Sequence, residues 1–325
     1  MVRLLRSPVL LVAVLLGMLL GAAGCGSGSP APVAQQGEIT PPSGTASSAD
    51  SSTSVTSTSS TPSPQPVKAN PAGDCPYPQS GFDCDFQRRF AAVEAYIKTR
   101  PGTVGIVVRD RQTGAVWRNE YANTMVWTAS TIKLAMTVDL FLRDRAGTIT
   151  LSAGDRDLIQ RMLHSSDDNA ADSLWFKYSG PDHMTFNNDF PRYGMTSLSP
   201  KAGYIKYFPY WGFQKCTPND LDRLINYVLT QLPSDTRDYI VNQLKNVDVD
   251  QQWGVWGAGP AASPGNKDGW SLEDTGWVMN SVGYVGPGER YTVAMMNSLN
   301  RQGVYADGQA TDNHVSALLF GGRSL

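Results

Sequence analysis

The sequence predicts an α+β fold in which a helical region interrupts an antiparallel sheet. Three observations lead there: two β-type runs follow an amphipathic helix near residue 100, a block of helical segments fills the middle of the domain, and a second β hairpin precedes a final helix. Of the 325 residues, the stretch able to build a core begins near Cys75, and its size suits one large domain with an inserted lobe better than several small ones.

The elements follow in order. Phe86 to Thr99 places Phe90, Val93, Tyr96 and Ile97 at helical spacing, and Pro101-Gly102 stops that helix. Thr103 to Arg109 reads as a strand and Ala115 to Asn119 as its hairpin partner, with Asp110 to Gly114 as the turn. Thr131 to Arg143 is apolar at Ile132, Leu134, Ala135, Val138, Phe141 and Leu142, so it reads as a buried helix. Gly154 to Met162 and Asn169 to Trp175 are helical, separated by a polar turn at His164 to Asp168. Residues 180 to 215 show little periodicity and are expected to form a long structured loop. Thr217-Pro218 has the chemistry of a helix start, a hydroxyl cap followed by a proline pre-set for the first turn. Helices are predicted over Leu221 to Leu229 and Arg237 to Leu244. A hairpin over Trp277 to Val285 and Arg290 to Asn297 crosses Gly286-Pro287-Gly288, and a last helix runs from Thr311 to Phe320.

Ahead of the domain, Arg3 and Arg6 lead into the apolar run Val9 to Leu20, and Ala22-Ala23-Gly24 sets small residues before Cys25. A positive start, an apolar stretch and a small-residue cleavage site mark an export signal over residues 1–24. The cysteine makes the site resemble a bacterial lipobox, which implies that Cys25 becomes a lipidated, palmitate-bearing N-terminus. Residues 26–74 include Ser51 to Thr61, all Ser and Thr apart from Val55, followed by Pro62, Pro64, Pro66 and Pro71. That composition buries too little apolar surface to offset backbone ordering, so residues 25–74 read as a lipidated cysteine and a tether, and 75–325 as the folded domain. The expected location is the outer face of the cell membrane, held by lipid.

Charge and cysteine use narrow the chemistry. Lys and Arg number 27 against 29 Asp and Glu, so no basic excess exists to neutralise nucleic-acid phosphates. Cys75, Cys84 and Cys216 are too few for a zinc cluster. In an exported protein two of them are expected to pair, either Cys75 with Cys84 or one of these with Cys216. His164, His183 and His314 lie far apart without ligand spacing, so no metal or cofactor is expected.

Three motifs carry the chemistry. Ser130-Thr131-Ile132-Lys133 sits at the start of the buried helix, where three residues make nearly one turn and bring the amine to the serine's face. A serine needs a neighbouring base, and a desolvated lysine with a lowered pKa is one. Ser166-Asp167-Asp168 occupies the turn between two helices. Lys267-Asp268-Gly269 begins 101 residues after Ser166, its glycine permitting close backbone approach.

In this order the motifs resemble those of the serine β-lactamases and penicillin-binding proteins, S-x-x-K, S-D-N and K-T-G. Thr128-Ala129 before Ser130, Ala170-Ala171 after the second motif and Thr217-Pro218 add to the likeness, which covers Phe86 to Leu325. The resemblance implies an antiparallel sheet flanked by helices with an inserted helical lobe, reduced here because only 36 residues separate Ser130 from Ser166. It implies Ser130 as the acylated nucleophile, Lys133 as its base, Ser166 as the hydroxyl that passes a proton to the leaving group, and Lys267 as its support. Asp168, Asp268 and Gly269 are implied as supporting residues, and Ser130 with the strand after Lys267 as donors of oxyanion N–H groups.

Three departures qualify the implied activity. Asp168 stands where the motif has Asn, with Asn169 able to replace it if the turn is shifted by one. Asp268 replaces Thr or Ser and is expected to repel a penicillin-type carboxylate. No glutamate lies between Glu120 and Glu273, so no deacylation base of the class A kind is available and an acyl-enzyme should persist. The expected function is an envelope-anchored serine acyl-enzyme hydrolase or transferase with poor or no β-lactamase turnover, acting as a monomer on a peptide or peptidoglycan-type substrate. The alternative is a catalytically inactive envelope binding or scaffolding lipoprotein that keeps the cleft and binds an envelope protein. Tyr204, Tyr207, Phe208, Tyr210, Trp211 and Phe213 are candidates for a cleft wall.

Overall fold

The computed structural model describes residues 75–201 and 208–325, all within the unit Val67–Leu325. The signal, Cys25, the tether, Tyr204 and Tyr207 lie outside the described residues. Among the described residues eight strands and eight α-helices occur, strands toward both ends of the domain enclosing a block of helices. A five-stranded antiparallel sheet has the order β2-β1-β8-β7-β6, built from β1 (Thr103–Asp110), β2 (Val116–Arg118), β6 (Gly265–Glu273), β7 (Gly276–Val285) and β8 (Tyr291–Ser298). The first and last segments of the domain meet in its middle, where Val104 pairs with Asn297 and Val108 with Val293. A small sheet of β3 (Val126–Trp127), β4 (Ser199–Pro200) and β5 (Gln214–Cys216) stands apart.

Both faces of the large sheet are covered, and strand alternation sorts its side chains between two cores. Ile106, Val108, Val293 and Met295 face the terminal helices α1 (Cys84–Ile97) and α8 (Tyr305–Phe320). Val107, Val282, Ala294 and Met296 face the helical lobe. Asp83 caps α1 by accepting from the Phe86 N–H at 2.9 Å, and the helix buries Phe86, Phe90, Val93 and Ile97 at the spacing read from the sequence. The last helix starts six residues earlier than its apolar stripe suggests, because the Asp307 carboxylate accepts from the Val304 N–H at 3.0 Å and organises the first turn.

The lobe consists of α2 (Ile132–Arg145), α3 (Ala153–His164), α4 (Asp168–Tyr178), α5 (Thr185–Asp189), α6 (Pro218–Thr230) and α7 (Ser234–Lys245). Helix α2 is buried continuously from Ile132 to Leu140 and forms the lobe's centre. Thr217 caps α6 as expected, its hydroxyl accepting from the Asp220 N–H at 3.2 Å while Asp220 accepts from the Thr217 N–H at 2.8 Å. The expected loop over 180–215 holds α5, β4 and β5 instead, pieces too short to show a period. Cys75 bonds Cys84, closing the local loop, and Cys216 stays a buried free thiol, so the long-range pairing alternative does not hold.

Candidate active site

Ser130 lies on a 3-10 turn, Ala129–Thr131, that runs into α2. Ala129 has φ +44°, a left-handed conformation unfavourable for a residue with a Cβ, and Ser166 has φ +58°. Such geometry persists where neighbours over-determine it, and they do so here. The Asn280 amide donates to the carbonyls of Trp127 at 2.8 Å and Thr128 at 3.2 Å, and the Thr128 N–H donates to the Gln214 carbonyl at 2.9 Å. A Cβ on Gly269 would lie 2.6 Å from Ser130 N and 2.7 Å from Thr131 N, so only glycine lets β6 reach the start of α2.

Lys133, Ser166, Asp168 and Lys267 meet beside Ser130. Lys133 Nζ donates to the Ser166 carbonyl at 2.6 Å, lies 3.4 Å from Ser166 Oγ, and pairs with Asp168 Oδ1 at 2.5 Å. Lys267 Nζ donates to Ser166 Oγ at 2.9 Å and to the Asp268 carbonyl at 2.8 Å. The Ser166 hydroxyl therefore stands between two amines. Both lysines are buried, which disfavours their charged forms. Burial pushes Lys133 down from the ordinary lysine value against the upward pull of Asp168. Burial and the neighbouring Lys133 charge push Lys267 down to about 7.

The arrangement differs from the expectation at three points. Among the described residues no hydrogen bond joins Lys133 Nζ to Ser130 Oγ; the amine is turned to Ser166 and Asp168 instead. Asn169 does not take over from Asp168, since Asn169 is exposed one step further along α4 while Asp168 makes the lysine contact. Asp268 does not project into the cleft. Strand alternation sends Lys267 and Gly269 toward Ser166 and Ser130, and Asn266 and Asp268 toward the opposite face. There the Asp268 carboxylate is buried, accepts from the Asn266 amide at 2.5 Å, and is pushed well above the usual carboxylate range by burial. The expected repulsion of a substrate acid by Asp268 thus has no geometric basis.

The cleft above these groups has a volume of about 520 Å³. Ser130 and Asp168 open into it, and Tyr210, Trp211 and Phe213 form one wall, as the aromatic loop suggested. Phe208 is 56% exposed and is not part of that wall. The Asp172 carboxylate accepts from Trp211 Nε1 at 2.8 Å and from the Tyr210 hydroxyl, fixing both rings. Trp127, Trp270, Glu273 and Asp274 complete the rim. Sequence reasoning missed Asn280, Asp172 and Trp127 because each acts through a partner distant in sequence. Residue patterning also gave no strand assignment to β6, whose Gly-Asn-Lys-Asp-Gly run has no apolar alternation; only the resemblance implied a strand after Lys267. Among the described residues no cluster of His, Cys, Asp or Glu could hold a metal ion.

A two-faced antiparallel sheet with an inserted helical lobe is the fold of the class A β-lactamases. Solved structures agree. A β-lactamase from Xanthomonas campestris superimposes with a TM-score of 0.61 at 15% identity, covering 73% of this chain and 97% of that one. One from Chitinophaga pinensis gives 0.62 at 16% identity, covering 72% and 98%. In sequence the chain is similar to the proteins named "Putative lipoprotein LppW" of Mycobacterium bovis and Mycobacterium tuberculosis, 31% identical over 204 residues, or 59% of this chain. The matched region spans 62% of those relatives, less than two thirds of their length. No protein-family profile matches the chain.

Proposed function

We propose that the protein is a serine acyl-transfer enzyme of the cell envelope that acylates slowly and releases its acyl group more slowly still. The observation that carries this reading is the Ser166 hydroxyl held 2.9 Å from Lys267 and 3.4 Å from Lys133, beside a serine open to the cleft. In acylation the Ser130 oxygen attacks a carbonyl carbon and its proton passes to the neutral Lys133 amine. The Ser130 N–H is the donor proposed for the oxygen that gains charge, with Gly269 packed beside it. Collapse expels the leaving group, which takes a proton from the Ser166 hydroxyl as the adjacent lysine restores it.

Two features slow the cycle. Asp168 favours the ammonium form of Lys133, which cannot accept the serine proton, and residues 121–272 contain no glutamate to activate water. The substrate class is an envelope peptide or peptidoglycan-type carbonyl compound. A lipid on Cys25, in keeping with the lipoprotein name of the mycobacterial relatives, would hold the domain at the outer face of the membrane. Palmitate labelling that disappears in Cys25→Ala supports the anchor, and unchanged labelling rejects it.

A fluorophosphonate or fluorescent penicillin in excess should label the folded protein, and Ser130→Ala should abolish the label. Labelling that survives the substitution places the reactive group elsewhere. One observation favours the scaffolding alternative: the resting Lys133 amine is bonded away from Ser130. Complete absence of label across pH 5 to 10 would select that alternative.

A further inference from the structure

We propose that the cleft selects ligands carrying an ammonium group and disfavours carboxylates. This rests on the reading that the cleft is the substrate site, and it names the class of substrate. Three carboxylate side chains line the cavity, Asp168, Glu273 and Asp274, and among the described residues no lysine, arginine or histidine does.

The charge is built into β6. Strand alternation puts Lys267, Gly269, Ser271 and Glu273 on one face, and the first two of these already point at Ser166 and Ser130. Glu273 is therefore aimed along the same cleft, and its carboxylate is held by the Ser271 hydroxyl at 2.6 Å. Asp274 is exposed beside it. The Lys133–Asp168 pair is neutral overall, which leaves Glu273 and Asp274 as the net charge of the cleft, and Lys267 is buried with its proton weakly held. Lys215 stacks on Trp127, and the Arg301 Nε donates to the Asp274 backbone carbonyl at 2.6 Å. Asp268, at the position where the motif resemblance places a carboxylate-binding hydroxyl, faces the other side of the sheet.

The walls supply a second, independent argument. Five aromatic rings line the cavity: Trp127, Trp211, Trp270, Tyr210 and Phe213. Two of them already bind ammonium groups within the protein. Lys133 Nζ lies 4.6 Å from the Trp211 ring centroid and Lys215 Nζ 4.5 Å from that of Trp127. Aromatic faces combined with rim carboxylates attract a cation by quadrupole and charge together, and they repel an anion by the same terms. The fitting substrate is an acyl compound with a free amine near the reacting carbonyl, such as an amine-bearing peptide.

The test is a binding titration on the mature chain followed by tryptophan fluorescence, with benzyltrimethylammonium and phenylacetate as probes. It is run on the native protein and on Ser130→Ala, so that binding is read apart from acylation. The ammonium probe should bind at least about tenfold tighter than phenylacetate in both forms. Glu273→Gln with Asp274→Asn, one half-buried and one exposed change whose folding is checked by thermal melting, should reduce that preference about fivefold or more. Phenylacetate binding as tightly as the ammonium probe would overturn the inference. So would a preference unchanged by the double substitution. Ammonium selectivity without Ser130 labelling would leave the inference standing and remove the acyl-transfer reading; labelling without selectivity would do the reverse.

Discussion

Replacing Asp168 with asparagine should speed acylation near neutral pH. Among the described residues Lys133 Nζ makes one ion pair, with Asp168 Oδ1 at 2.5 Å, and it also meets the neutral oxygens of Ser166 and the Trp211 ring, with Asp167 and Asp172 acting on it more weakly. Burial lowers the pKa of this amine and Asp168 raises it. Asparagine keeps the size and a hydrogen-bonding oxygen but removes the charge, so the neutral amine appears at lower pH. An opposite charge at this range commonly moves a pKa by about 1–3 units. The Asp168 side chain is 71% exposed and screened by water, which selects the low end, roughly a tenfold change in neutral amine or about 1.4 kcal/mol. The rate of labelling by a fluorophosphonate, measured from pH 5 to 10, should rise about tenfold on the acid limb and keep the same alkaline plateau. A profile that does not move, or moves to higher pH with the fold intact, would refute Lys133 as the base.

Further outcomes follow from the same geometry. Lys267→Met should slow labelling, and its effect on the fold should be most favourable at or below pH 7, where the buried ammonium bears its full desolvation cost. Between about 7 and the ordinary value of 10.5 the folded state releases this proton before the unfolded chain does, so native stability rises with pH and the variant's relative stability should fall; denaturant melts at pH 6 and 10 check the sign. Gly269→Ala should push β6 off the start of α2, costing about 1–3 kcal/mol in a thermal melt and slowing labelling more than about tenfold. Reducing the Cys75–Cys84 bond reopens a short loop worth roughly 3 kcal/mol, so calorimetry with and without reductant should show a Tm lower by about 6–12 °C.

The periodic parts of the fold were legible in the sequence. Phe86, Phe90, Val93 and Ile97, the β1 run and the Thr217-Pro218 cap each declare their element through local spacing or local hydrogen bonding. The strand that carries the site was not, because β6 is polar on both faces: Lys267 and Glu273 serve the cleft, and Asn266 and Asp268 serve a buried network behind it. The three motifs placed Ser130, Ser166 and the two lysines in one site. Their spacing could not reveal which way Asp268 faces, since that depends on strand register with β7, where Asp268 pairs with Ser281. Nor could it reveal that Lys133 turns to Asp168, a choice made by how α2 and α4 pack.

The central claim is that Ser130 forms an acyl-enzyme whose release is slow. Intact-mass measurement over time after an excess of an amine-bearing activated ester is removed reads this out, with the adduct mapped by peptide fragmentation. One added acyl group is expected on Ser130, outlasting removal of free probe and absent from Ser130→Ala. No adduct at any pH, or an adduct that clears as fast as it forms, would contradict it.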